Sequence, residues 1–138
     1  NYTRDVIDFS LRHTSILKLN EDEIALFSKI FEVKTGEEDK MVKWLFSNYP
    51  LQIILITKGP MGVEVYTQKG SVNISGLPVR VKDTVGAGDA FSAAFILEYL
   101  NTGDVIAAAK KGNELGAYVA SQSGAVPELD HIHQQNSI

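Results

Sequence analysis

The sequence predicts an α/β fold, a mostly parallel sheet with helices on both faces, and three observations carry that prediction. "LQIILITKG" (51–59) is an unbroken run of leucine and β-branched residues, the composition of a strand buried on both sides. Segments with helical periodicity stand before and after it, an order in which crossover helices cover parallel strands. "GVEVYTQKGSVNIS" (62–75) alternates apolar and polar residues on either side of a glycine turn and reads as one β-hairpin.

Taken in order, "DVIDFSLR" (5–12) sets Val6, Phe9 and Leu11 near helical spacing and predicts a short amphipathic helix. "SILKLN" then reads as a short buried strand through Ile16, Leu17 and Leu19. Asn20 closes it and can cap a following helix, with Glu23 at the third position. Met41, Trp44 and Leu45 recur at spacings of three and four, so a second helix is expected over 37–47, ended by Pro50. The central strand and the hairpin follow, with Val63, Val65 and Tyr66 on one arm and Val72 and Ile74 on the other. "VRV" (79–81) reads as a short strand leading into a glycine turn. A helix is expected from Asp89 to about Leu100, with Phe91, Phe95, Ile96 and Leu97 in the core. Asp104 caps another helix that runs toward Ser121, and a poorly patterned tail follows.

The length, 138 residues, is that of one domain, and no repeat or linker divides it. Hydrophobic residues make up 44% and charged residues 22%, and no apolar run reaches the roughly 20 residues that cross a bilayer. A membrane protein is not expected. The net charge of −4 offers no basic surface for nucleic acid. With no cysteine there are no disulfides, thiolate nucleophiles or Cys-ligated zinc, and a cytoplasmic location is the expectation. His131 and His133, two apart with no third ligand, do not make a metal site. His13 is expected at the surface and Trp44 in packing.

Ligand sites in such folds lie where strands give way to helices, which marks "KLNEDE", "ITKGPMG" and "KDTVGAGDAF". In "TVGAGD", Gly86 and Gly88 permit backbone angles closed to other residues and remove the Cβ that would block a ligand. With Ala87 between them, their N–H groups at a helix start form an anion hole suited to a phosphoryl group. An aspartate there repels phosphate unless it has a task, and a general base for an attacking hydroxyl is one. The plainer reading is that Asp89 complements the helix dipole and that the glycines merely turn the chain. The motif is neither the G-x-G-x-x-G fingerprint, whose third glycine falls on Phe91, nor a P-loop.

"DTVGAGDAFSAAFI" (83–96) resembles the C-terminal signature of the ribokinase-like (PfkB) carbohydrate kinases, closest to those of fructokinase type. The resemblance implies a ribokinase-like, Rossmann-like three-layer fold and an ATP-dependent sugar kinase. It makes Asp89 the catalytic base and Gly86, Ala87 and Gly88 the anion hole. Asn20 and Glu23 match the family's N-x-x-E element, with Glu23 ordering Mg²⁺ through water, although the same letters make a helix cap. Thr57, Gly59 and Gly62 match a T-x-G-x-x-G segment near the nucleotide, where Lys58 replaces the commonest apolar residue. Asn113 would lie near adenine or ribose, and "SGAVP" (123–127) would close the pocket. Members activated by K⁺ bind it through backbone carbonyls matching Asp83, Val85 and the 119–124 loop, and Glu128 departs from that pattern.

The resemblance covers only the C-terminal, nucleotide-binding and catalytic portion of the family fold. The N-terminal part that grips the sugar and forms the lid is not found, so the sequence reads as starting in mid-protein. The expected partners are a sugar and ATP, with a homodimer conceivable for the full-length protein. The 138-residue chain alone is expected to be inactive and prone to associate through its open sheet. The alternatives are a nucleoside or vitamin kinase of the same fold and a non-catalytic regulatory relative.

Overall fold

The computed structural model describes residues 2–77 and 86–122. Its elements are α1 (Tyr2–Leu11), β1 (Ile16–Asn20), α2 (Glu21–Ile30), α3 (Glu38–Asn48), β2 (Ile53–Thr57), β3 (Gly62–Thr67), β4 (Gly70–Ser75), α4 (Ala87–Thr102) and α5 (Val105–Ala120). A single 3₁₀ turn, Gly59–Met61, joins β2 to β3. The α/β class and the order of elements match the expectation. The "VRV" segment and the tail with His131 and His133 lie outside the described residues.

The sheet runs β1-β2-β3-β4. β1 pairs parallel with β2, Asn20 opposite Thr57, and β2 pairs antiparallel with β3, Thr57 opposite Val63. Among the described strands the sheet is therefore mixed, because a tight turn after β2 can only return the chain antiparallel. As its continuous apolar run requires, β2 is buried on both faces: Ile54 and Ile56 are 0% exposed and Ile53 and Leu55 at most 3%.

The residues divide into two compact units, 1–73 and 74–138. In the first, Ile54, Ile56 and Leu19 of the sheet join Leu11, Ile24, Phe31, Met41, Val42, Leu45, Tyr49 and Leu51 in one apolar cluster. Trp44 packs against it, 5.0 Å from the Phe31 ring and 6.1 Å from that of Tyr49, so it is a packing residue as expected. Helix α1 departs from its expected face. Leu11 is buried with Ile7 packed beside it, whereas Val6 is 46% and Phe9 67% exposed. Positions 7 and 11 share a face at i,i+4, and Asp8 on that side reaches Tyr49, which fixes the helix's rotation. His13 is exposed and its ring stands 4.9 Å from that of Phe9.

The second unit is built on the α4–α5 hairpin. Small buried residues of α5, Ala108, Ala109, Gly112, Gly116 and Ala120, let α4 come close, and Phe91 and Phe95 fill the seam. A Cβ on Gly112 would meet the Phe91 ring and carbonyl oxygen at 3.0 Å. Ile96 (53% exposed) and Leu97 (71%) are not in this core, contrary to expectation. α4 is apolar on nearly all sides, so its sequence pattern could not select the buried face. Gly103 ends it in the left-handed conformation, and Asp104 caps α5 through the Ile106 and Ala107 N–H groups as expected.

Asp8 is held below the usual carboxylate range, chiefly by its hydrogen bond from Arg12 and next by the Tyr49 hydroxyl, which donates to it over 2.6 Å. Burial first, and the Asp8 bond second, push the Tyr49 phenol up to about 12. A raised pKa on an acid that folds neutral gives stability that is complete below the unfolded value of 10.0 and lost as pH rises through about 12. Urea midpoints of the parent chain are therefore expected to fall between pH 10 and 12 more steeply than those of Tyr49→Phe. At pH 7 the variant is expected to be less stable by about 1 kcal/mol.

Candidate functional site

The sequence-selected residues fall into two groups, one in each unit. In the first unit, Asn20, Glu23, Thr57, Gly59 and Gly62 collect at the carboxyl end of the parallel β1–β2 pair. Asn20 and Thr57 are register partners, and the Thr57 hydroxyl faces the Leu19 carbonyl oxygen at 3.4 Å. Asn20 caps α2 reciprocally: its Oδ1 accepts from the Glu23 N–H at 2.8 Å, and Glu23 Oε1 accepts from the Asn20 N–H at 2.9 Å. The capping chemistry legible in the sequence is thus fully realised. Glu23 is exposed, and its second carboxylate oxygen carries no hydrogen bond among the described residues.

The turn after β2 needs its glycines, because Gly59 (φ 53°) and Gly62 (φ 101°) both lie in the left-handed half of the map. The Lys58 N–H donates to the Gly62 carbonyl at 2.8 Å, that of Met61 to the Lys58 carbonyl at 3.0 Å, and that of Gly62 to Gly59. A closed turn of fixed shape results, with backbone at its tip and no Cβ on Gly59.

In the second unit the chain enters α4 through Gly86 at φ 83°, a conformation that strains any residue with a Cβ. Gly88 differs from expectation: it lies inside the helix, and what it supplies is the missing side chain rather than unusual angles. The first helical bond joins the Ala90 N–H to the Gly86 carbonyl at 2.9 Å, and no side chain caps the helix. The N–H groups of Ala87, Gly88 and Asp89 therefore have no intrahelical partner and stand at the positive end of the dipole. Asp89 is exposed, and its carboxylate makes no hydrogen bond or ion pair among the described residues. An internal salt bridge, which would remove it from chemistry, is not present there.

Sequence reading missed what backs this turn. A Cβ on Gly116 would come within 3.2 Å of the Ala87 carbonyl oxygen, and one on Gly86 within 3.7 Å of Val119. The α5 stripe Ala108, Gly112, Gly116 and Ala120, small residues four apart, was the available signal. Asn113 uses its side-chain amide to donate to the Ser75 carbonyl at 3.0 Å, tying α5 to the end of β4. Asp83, Val85, residues 123 and 124 of the 119–124 loop, and Glu128 lie outside the described residues, so the K⁺ expectation has no geometry. No cluster of three acidic or histidine side chains that could hold a metal ion occurs among the described residues. Glu23 alone suits an ion such as Mg²⁺ that keeps most of its waters and takes one or two carboxylates.

The first unit thus offers a strand-end turn beside a helix capped by Asn-x-x-Glu, and the second a glycine entry to a helix ahead of an aspartate with no partner among the described residues. The profile described as "pfkB family carbohydrate kinase" matches residues 1–132, and the chain belongs to that family. It is 38% identical over 109 residues to the ATP-dependent ribose-1-phosphate kinase of Halopiger xanaduensis, covering 78% of this chain and 36% of that protein. It is 34% identical over 124 residues to the Arabidopsis thaliana protein named "Probable fructokinase-6, chloroplastic", covering 83% and 30%. In fold it is similar to aminoimidazole riboside kinase from Salmonella enterica, solved with aminoimidazole riboside and an ATP analog. That match has a TM-score of 0.76 at 22% identity and covers 99% of this chain and 46% of the other. The chain spans about a third of the length of the curated relatives it matches.

Two stability measurements test the local physics. Asn20→Ala removes the cap acceptor and is expected to cost about 1 kcal/mol of unfolding free energy in urea titration. Gly116→Ala forces a methyl against the carbonyl of the first α4 residue and should cost about 1–3 kcal/mol. Gly36→Ala, where a Cβ meets nothing within 4 Å, is the control expected to be near neutral.

Proposed function

We propose that this chain carries the nucleotide-binding and catalytic portion of an ATP-dependent sugar kinase, of fructokinase-like or ribokinase-like kind. The observation that carries the reading is the Asp89 carboxylate, without a partner among the described residues, beside three N–H groups that α4 leaves unpaired. Asp89 takes the proton from a sugar hydroxyl, whose oxygen attacks the γ-phosphorus in line. The bond from that phosphorus to the bridging oxygen breaks, and ADP departs with the electron pair. The amides of Ala87, Gly88 and Asp89 receive the charge that spreads over the transferring oxygens, at the helix end where it is favoured.

The Thr57–Gly62 turn lies against the nucleotide through its backbone, with Asn113 near adenine or ribose. Glu23 would hold a hydrated Mg²⁺, which would supply charge neutralisation at the phosphates, while its carboxylate keeps the cap with Asn20. The glycine conformations at 59, 62 and 86 support this division of labour, since each exposes backbone where a side chain would stand. Against a non-catalytic relative stands the intact base. Names among the relatives favour a sugar hydroxyl as acceptor over a nucleoside or vitamin. The proposal extends to a cytoplasmic protein that forms a homodimer at full length, with K⁺ held by the carbonyls of Asp83 and Val85. No helix among the described residues is long and apolar enough to cross a membrane.

In the full-length enzyme, Asp89→Asn is expected to lower kcat by about 10²-fold or more with little change in nucleotide affinity, the signature of a lost general base. Coupled ADP-release assays with fructose and ribose read the rate, and calorimetry with MgATP reads the binding. Turnover within a few-fold of the parent removes Asp89 from this role. The 138-residue chain by itself is expected to show no sugar-dependent ADP release above the Asp89→Asn control.

A further inference from the structure

Between Thr57 and Gly59 of the nucleotide turn stands a lysine, and a lysine at such a place invites the reading of a phosphate ligand. Its ammonium is directed elsewhere. Lys58 Nζ lies 3.2 Å from Glu38 Oε1, with the two side chains only 25% and 21% exposed. The other oxygen of the same carboxylate, Oε2, accepts a 2.5 Å hydrogen bond from the Tyr66 hydroxyl. Glu38 is the first residue of α3 and Tyr66 lies on β3, so one carboxylate joins a helix, the hairpin and the first residue of the turn. Burial first, and the bond to Glu38 second, raise the Tyr66 pKa, so the phenol remains a donor throughout the neutral range.

A second carboxylate lies close by. The Lys58 N–H bonds to Gly62 and Ile56 pairs with Glu64, which puts Lys58 and Glu64 on the same sheet face as diagonal neighbours. Glu64 Oε2 is buried and has no hydrogen-bond partner among the described residues. The charge of Lys58 is therefore engaged inward, where its removal would leave the Glu38 carboxylate without its ion-pair partner.

We propose that Lys58 is a positioning residue, tethered by Glu38 and Tyr66 so that the Lys58–Gly62 turn keeps one shape against α3, and that it is not a phosphate ligand. The inference rests on the nucleotide reading of that turn. The two roles separate cleanly in a double-mutant cycle. A phosphate ligand predicts that Lys58→Met weakens MgATP binding while Glu38→Gln does not. A tether predicts that both weaken it about equally, roughly tenfold, and that the double variant Lys58→Met/Glu38→Gln is no worse than either single change, because the two groups act as one pair. Lys58→Arg, which can still pair with Glu38, should restore most of the affinity.

Calorimetry with MgATP on the full-length enzyme gives the affinities, and hydrogen exchange gives a readout independent of nucleotide. The Met61 and Gly62 amides should exchange about tenfold faster in both single variants, with the β2 amides unchanged as a control for global unfolding. Loss of binding confined to Lys58→Met, or unchanged exchange at Met61 and Gly62, overturns the tether. Absence of MgATP binding by the parent enzyme overturns the nucleotide reading itself, and the exchange data then report separately on whether the tether exists.

Discussion

The burial of β2 on both faces is the constraint from which the rest of the first unit follows. Ile54, Leu55 and Ile56 are almost entirely removed from water, worth about 2 kcal/mol or more each, and the strand has β1 and β3 along its two edges. A strand so enclosed leaves no room for a polar side chain along its length. Polar chemistry can begin only where the strand stops, and it does so at once: Thr57, Lys58 and Gly59 follow Ile56 directly. Because β1 runs parallel to β2, its own end, Asn20, arrives at the same level. Two loops far apart in sequence are thereby placed side by side without any loop needing to be long.

The second unit solves a different problem with small residues. α4 must begin without a capping side chain if its first amides are to stay available, which gives up the stabilisation that Asp104 gives α5 and Asn20 gives α2. Gly86 sets the entry angle, and the close approach of α5 at Gly112 and Gly116 holds the first turns of α4 from behind. The uncapped start and the close packing belong together, since helix ends fray unless tertiary contact replaces the missing local bonds. The same N-terminal turn presents Asp89 exposed and without a partner among the described residues, at the helix end where a carboxylate is favoured.

Much of this was readable in advance where one local rule decided the outcome. The capping box of α2, the Asp104 cap, the central strand and the hairpin each rest on residues adjacent in sequence. Reading failed where a choice depended on distant partners. α1 offered Val6 and Phe9 as well as Ile7 and Leu11, and the contact of Asp8 with Tyr49, 41 positions away, settled which pair went inside. α4 offered an almost uniformly apolar surface, so Ile96 and Leu97 looked as buried as Phe91 and Phe95. Lys58 stood out only as a departure from a pattern. Its partner Glu38 lies on another helix, and no spacing rule connects the two.

By itself the sequence determined the kind of fold, its helix and hairpin boundaries to within about three residues, and the glycine turns and caps at the strand ends and helix starts. Those depend on periodicity, on glycine's backbone freedom and on the identity of a few polar side chains, all of which are local properties of the chain. Only the tertiary structure decided which helix faces are buried, which carboxylate the turn lysine serves, and that Gly116 rather than a capping group supports the entry to α4. These are contacts between groups remote in sequence, and they exist only once the sheet register and helix packing have brought the groups within reach.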